Sequence, residues 1–198
     1  MKKIETIWHH LLFQTIEKKE FQHTQAALAD SFGFSTSTIN LALDKPTSIG
    51  AIRKSGKFFV VSDPRKLLYL AATIRNLTRD TLYHTNSILP ITELEGLATP
   101  DTVYGGYTAA KYLLGEPPAD YNHLYLYAQP SSLPSLKLRY PKSQVGNNHI
   151  VVLDLPPHLP LTGHTSLPLT FVDIWNMSDW YSHDFIVSLE AKINGLLS

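Results

Sequence analysis

Hydrogen-bonding side chains and cations are concentrated at two places in the first third of the chain. One group carries hydroxyl or amide functions: Ser35, Thr36, Ser37, Thr38 and Asn40. The other carries positive charge: Arg53, Lys54 and Lys57. Hydroxyl and amide groups can bond to base edges, and Lys and Arg can neutralise phosphates. The two groups together predict contact with a nucleic acid.

The first group lies in residues 25–43, which the sequence predicts to be two short helices joined by a tight turn. Their inward side chains recur at helical spacing: Leu28, Ala29, Phe32, Ile39 and Ala42. Gly33 can adopt the positive φ of the turn, and Ser35 is suited to cap the second helix. We expect that helix to end near Lys45, because Pro46 cannot continue it. The spacing resembles the helix-turn-helix of DNA-binding regulators, whose second helix enters the major groove. An ordinary helical hairpin in a core is the alternative.

The cationic group lies in residues 49–61, which read as a β-hairpin. Ser55 and Gly56 form the turn signal, and an aromatic and β-branched strand follows. Cations at the tip of such a ribbon could grip phosphates or a minor groove; the alternative is a solvated hairpin tip. A single apolar-faced helix is predicted over residues 3–18, so the order of elements is that of winged-helix domains.

Charge is divided unevenly along the 198 residues, although the net charge is zero. Residues 1–80 hold 12 Lys and Arg against 7 Asp and Glu, whereas residues 81–198 hold 5 against 10. This asymmetry predicts two units with a boundary near residue 80, the first of them binding DNA. The chain has no cysteine, no signal-peptide pattern and no apolar run long enough to span a membrane, so we expect a cytoplasmic protein.

The second unit, residues 81–198, reads as a small α/β domain. Its predicted strands are residues 82–88, 103–104, 123–128, 136–140, 149–155 and 169–175. Its predicted helices are residues 92–97, 107–114 and 183–197. Gly105 and Gly106 join a strand to a helix, where backbone N–H groups could bind the phosphate of a ligand. A tight turn that lets the helix pack closely on the sheet is the alternative.

A winged helix followed by a strand, Gly-Gly, an Ala-rich helix and an apolar strand resembles the antitoxin of abortive-infection type IV toxin–antitoxin systems. The second half is also similar to a reduced nucleotidyltransferase fold. Active members of that fold carry two aspartates, two residues apart, on the strand after the Gly-Gly helix. Tyr125 and Tyr127 stand there in this chain. The resemblance therefore implies a domain without catalytic carboxylates that binds a partner or a ligand.

Other residues could carry chemistry but match no known pattern. Asp154 and Asp173 lie in predicted strands and could converge in a pocket, although strand-end aspartates also cap loops and pair with cations. Three histidines, His158, His164 and His183, have no metal-ligand spacing. An aromatic cluster, Trp175, Trp180 and Tyr181, could be core or could hold a partner. We expect no metal and no cofactor.

The sequence thus predicts an α+β chain, with an N-terminal winged helix-turn-helix domain followed by a small α/β domain. We expect a homodimeric transcriptional regulator that binds double-stranded DNA and has no enzymatic activity. By resemblance it would be an antitoxin-like autorepressor with a toxin-like protein partner. The alternatives are a nucleotidyltransferase-type enzyme with a DNA-binding N-terminal domain, and a protein-interaction module. We expect no association with a membrane.

Overall fold

The computed structural model describes residues 1–158 and 163–198, and in these it has a mixed α and β fold with two small sheets. This confirms the α+β class. The helices are α1 (Lys3–Glu17), α2 (Gln25–Phe32), α3 (Thr36–Ser48), α4 (Pro64–Ile74), α5 (Leu77–Asp80), α6 (Ile91–Gly96), α7 (Gly106–Leu114), α8 (Leu133–Arg139), α9 (Leu167–Trp175) and α10 (Ser182–Leu197). The strands are β1 (Gln22–Thr24), β2 (Ile52–Ser55), β3 (Phe58–Val61), β4 (Thr81–Ser87), β5 (Val103–Gly105), β6 (His123–Ala128) and β7 (Asn148–Asp154).

The first part of the chain packs α1, α2 and α3 with a three-stranded antiparallel sheet of order β1-β3-β2. The predicted helix cap at Ser35 is confirmed, since its side-chain oxygen accepts a backbone N–H. Thr24 and Asp63 cap α2 and α4 in the same way. The predicted hairpin turn is also confirmed, with Gly56 at a φ of 59°. These short-range features follow from local backbone chemistry.

The predicted end of α3 was wrong, because the helix continues through Pro46 to Ser48. Proline has no N–H, so the carbonyl of Ala42 loses the donor it would have four residues on. The indole Nε1 of Trp8 donates to that carbonyl instead, at 2.6 Å. A side chain of α1 therefore supplies the hydrogen bond that the proline removes, and the last turn of α3 is retained.

The second part of the chain is built on a four-stranded sheet of order β4-β7-β6-β5. The β6 and β7 strands are parallel, and the other two pairs are antiparallel. The predicted strands over residues 82–88, 123–128 and 149–155 are confirmed to within a residue at each end. The predicted helices over residues 107–114 and 183–197 are confirmed equally closely. The α7 helix packs on β6 and α9, so these elements form one layered unit.

Two predicted strands were wrong, since residues 136–140 fall in and just after α8 and residues 169–175 lie in α9. Ser166 caps α9, with Pro168 in its first turn. Every residue from Leu167 to Ile174 is buried. A helix buried on all sides lacks an amphipathic pattern and is easily mistaken for a buried strand.

The α4 helix helps to join the two parts, because it packs against both α1 and α9, which also pack against each other. Its C-terminal neighbour Arg75 is buried, and its Nε donates to Asp173 Oδ1 at 2.8 Å. The same guanidinium bonds to Asp80 and to the Tyr127 hydroxyl. One apolar cluster includes residues of α1, α3, α4, α7, α9 and α10. The functional division near residue 80 stays a prediction.

No helix within residues 1–158 and 163–198 combines the length and the apolar character needed to cross a membrane.

Candidate nucleic-acid interface

The α3 helix is fixed to the body of the protein along one side. Gly33 ends α2 with a φ of 62°, and the hydroxyl of Ser35 then accepts the backbone N–H of Thr38. Ile39, Ala42 and Leu43 are fully buried. Because these side chains occupy one stripe of the helix, the opposite stripe faces outward.

The outward stripe carries the polar residues that the sequence singled out. Thr36, Ser37 and Asn40 are exposed, as is Ser35. Thr38 is half-buried, and its hydroxyl lies 3.0 Å from that of Ser35. The hydroxyls of Ser35 and Thr38 are therefore occupied by the cap. In the described part of the chain, no hydrogen bond engages the exposed side chains of Thr36, Ser37 and Asn40.

The β2–β3 hairpin carries exposed cations, and one of them, Lys54, lies beside this stripe. Arg53, Lys54 and Lys57 are all exposed. Lys54 Nζ lies 3.8 Å from the Asp44 carboxylate on α3, which brings the hairpin next to the helix. A cationic ribbon alongside an exposed helix is an arrangement that can span a duplex groove and its flanking phosphates.

Three further features of this surface were missed from the sequence. Leu41 and Asp44 share the outward stripe of α3, with Leu41 60 % exposed. A groove of about 410 Å³ separates the start of α2 from the hairpin, and Lys54 and Lys57 help to line it. His158, from the second part of the chain, packs edge-on against Phe32 near the α2–α3 turn. The groove and the His158–Phe32 contact each form between segments that are distant in the sequence, so no local signal could have revealed them.

The Gly-Gly pair lies under aromatic side chains. Gly105 and Gly106 are buried, and Gly106 has a φ of 52°. A β-carbon on Gly105 would meet the Tyr127 ring at 2.9 Å, and one on Gly106 would meet the Tyr125 ring at 2.9 Å. This geometry favours the alternative of a tight turn that lets α7 pack closely on the sheet. Tyrosine rings fill the space beside both glycines. The role of Gly105 and Gly106 in binding a ligand stays a prediction.

No protein-family model, no curated protein and no solved structure matches the chain.

Asp173 is held in a buried network. Its Oδ2 accepts the Tyr127 hydroxyl at 2.6 Å, and Arg75 bonds its other oxygen. Burial raises the pKa of Tyr127, and the nearby carboxylate raises it further, so the hydroxyl stays protonated and donates. Asp154 lies at the end of β7 and is half-buried. The oxygens of Asp173 are thus engaged in joining α9 to α4 and β6.

The remaining candidates are dispersed. His164 stacks on Tyr112, whereas His158 contacts Phe32. His183 is exposed at the start of α10. In the residues that the structure describes, no three His, Cys, Asp or Glu side chains form a group that could hold a metal. Of the aromatic cluster, Tyr181 is buried and Trp180 is 81 % exposed, so it is divided between core and surface.

Proposed function

We propose that this chain is a winged helix-turn-helix protein that binds double-stranded DNA and regulates transcription. The observation that carries the proposal is the exposed polar stripe of α3 beside the exposed cations of the β2–β3 hairpin. The order α1-β1-α2-α3-β2-β3, with the sheet order β1-β3-β2, supports the winged-helix assignment.

In this proposal α3 lies in the major groove. Ser37 and Asn40 bond to base edges from the N-terminal part of the helix, and Leu41 can contact a thymine methyl group. Arg53, Lys54 and Lys57 neutralise phosphates, with Lys54 exchanging Asp44 for the duplex. The carboxylate of Asp44, once released, can accept from a cytosine amino group.

The further parts of the proposal depend on the sequence resemblance. The protein would be a cytoplasmic homodimer and an antitoxin-like autorepressor, and its second part would hold a toxin-like protein partner. A dimer fits DNA recognition, because two copies would read two half-sites about one helical turn apart. The proposal assigns no enzymatic activity to the chain.

The test is the affinity of the full chain for duplex DNA, measured by fluorescence anisotropy over a range of salt concentrations. Replacing the three hairpin cations, Arg53, Lys54 and Lys57, by alanine should weaken binding at least about 10-fold and reduce the log–log salt slope by about 3. The matched control replaces three cations of the second part: Lys137, Arg139 and Lys142. Equal losses in the two triple variants, or no binding by the unmodified chain at low salt, would overturn the proposal.

A further inference from the structure

A second cavity lies on one face of the four-stranded sheet, where β6 and β7 begin. It has a volume of about 570 Å³ and is lined in part by three histidines, His84, His123 and His149. Cavities of this size hold small organic molecules. Neither the DNA proposal nor the Gly-Gly pair accounts for it.

The neighbours of His123 fix which ring nitrogen carries its proton. Its Nδ1 lies 2.9 Å from Asn122 Oδ1, 2.9 Å from the Tyr181 hydroxyl and 3.4 Å from Asp179 Oδ1. The Tyr181 hydroxyl donates its own proton to Asn122 Oδ1 at 2.7 Å. Because all three neighbours accept, the neutral ring carries its proton on Nδ1 and presents a lone pair at Nε2.

His149 has the same arrangement on the adjacent strand. Its Nδ1 lies 2.9 Å from Asn86 Oδ1. The amide of Asn86 is oriented by donating its Nδ2 to the Gln144 carbonyl at 3.4 Å. Asn86 Oδ1 therefore accepts the Nδ1 proton of His149, and Nε2 of His149 carries the second lone pair.

The two imidazoles lie together because His123 and His149 are direct partners in the parallel β6–β7 pair. Their ring centroids are 4.4 Å apart, with 20° between the ring planes. Burial lowers the pKa of His123, which favours the neutral ring. Within the described parts of the chain, neither Nε2 has a hydrogen-bond partner.

The charge of the lining decides what these acceptors can receive. None of the described residues that line the cavity is Lys or Arg, and Asp179 carries the one formal charge of the lining when the histidines are neutral. Lys142 is not a lining residue, and its Nζ donates to the backbone carbonyl of His84 at 2.8 Å. Tyr107 donates to Asp179 Oδ2 at 2.7 Å, which orients the carboxylate. An anion would meet no fixed positive charge in the lining, whereas a cation would meet a carboxylate and two imidazole acceptors.

We propose that this cavity binds a small organic cation, of the primary amine or guanidine class, whose N–H groups donate to Nε2 of His123 and His149. Asp179 supplies the negative charge of the lining from the Nδ1 side of His123. A metal ion fits less well, because its ligands must converge on one point and Asp179 approaches the Nδ1 side of His123, where it cannot join the two Nε2 atoms as a third ligand. The inference does not depend on DNA binding.

The test uses the full chain and agmatine, which carries both an ammonium and a guanidinium group, with inorganic phosphate and Zn²⁺ as competing probes. Isothermal titration calorimetry should show agmatine binding and no phosphate binding. Asp179→Asn and His149→Phe should each weaken agmatine at least about 10-fold, whereas His183→Phe, outside the cavity, should leave it unchanged. Long-range proton–nitrogen NMR on the unmodified chain should show both rings protonated at Nδ1, with both Nε2 signals shifting on addition of agmatine.

The NMR measurement keeps the test decisive even if a variant fails to fold. Absence of agmatine binding, unmoved Nε2 signals or equal binding by the two cavity variants and the control would overturn the proposal. Zn²⁺ binding that excludes agmatine and requires His149 would also overturn it, by making the site a metal site.

Discussion

The indole N–H of Trp8 bonds to the one carbonyl in α3 that Pro46 deprives of its helical donor, that of Ala42. Proline inside a helix costs about 3 kcal/mol. Here the tertiary structure restores the missing hydrogen bond, and in doing so it fixes α1 to the helix proposed to meet DNA. Trp8 and Pro46 should therefore be coupled energetically, although 38 positions separate them in the sequence.

Trp8→Phe should lower the free energy of unfolding by about 3 kcal/mol, because it leaves the buried Ala42 carbonyl unpaired and removes apolar area. In a Pro46→Ala background the backbone N–H of residue 46 can bond that carbonyl, so the same change should cost at least about 1 kcal/mol less. Urea denaturation of the four proteins measures the difference. Strictly additive losses would contradict the coupling.

Ser37→Ala and Asn40→Ala should reduce the discrimination between a selected duplex and a scrambled one, by about 10-fold for Asn40. The salt slope should stay unchanged, because neither side chain neutralises a phosphate. Thr73→Ala, at an exposed position of α4, is the control. A loss of affinity that is equal for both duplexes would show that these side chains do not read sequence.

Gly105→Ala should destabilise the chain by about 2 kcal/mol, because the new methyl group would press on the Tyr127 ring. That ring is held by hydrogen bonds to Arg75 and Asp173 and cannot move aside easily. Gly96→Ala, which adds a methyl group in open space, should change the stability by less than about 0.5 kcal/mol. Thermal unfolding separates the two, and similar effects would argue against close packing at Gly105.

Asp173→Asn should cost about 3 kcal/mol, since the buried Arg75 guanidinium would lose its nearest fully buried counter-charge. Glu190→Gln is the matched control, because Glu190 is half-buried and accepts a hydrogen bond from Tyr69. It should cost less than about 1 kcal/mol. If chemical denaturation gives equal values for the two variants, the Arg75 network contributes little to the joint between α4 and α9.

The buried His9 should make stability depend on pH. Burial, assisted by the positive charge of Arg75, lowers its pKa to about 3. The unfolded chain binds a proton near pH 6.5 and the folded chain does not, so stability falls as the pH drops from 6.5 towards 3. The loss from His9 is about 4 kcal/mol over that interval.

His9→Phe should remove this part of the pH dependence, whereas His183→Gln, at an exposed position, should not. Denaturant titrations between pH 7 and pH 4 give the free energy of unfolding of each protein at each pH. The quantity to compare is how steeply that free energy changes with pH, not its absolute value. Parallel curves for His9→Phe and the unmodified chain would contradict the assignment.

Short-range chemistry was predictable from the sequence, and long-range partners were not. Ser35, Thr24 and Asp63 cap helices because a hydroxyl or carboxylate two or three positions before a backbone N–H can accept from it. The extension of α3 past Pro46 depends on the indole N–H of Trp8, and no local sequence pattern predicts a hydrogen-bond donor from a distant helix. Leu167–Ile174 is an apolar run in a fully buried helix, which periodicity cannot distinguish from a strand.

The histidine cavity was missed for a similar reason. His123 and His149 fall in two separate predicted strands, and only the parallel register of β6 and β7 makes them neighbours. The candidate DNA-contacting residues, by comparison, belong to two local motifs, a capped helix and a hairpin. Their exposure was therefore within reach of sequence reasoning, whereas the groove beside Lys57 was not.

Arg75 limits how well the first part of this chain could fold when it is separated from the second part. A fragment cut after residue 80 would keep the guanidinium and leave behind Asp173 and Tyr127, two of the groups that hold it. It would also expose the side of α4 that α9 now covers. A fusion protein built from this segment would thus need compensating substitutions at position 75 and along α4 to fold independently.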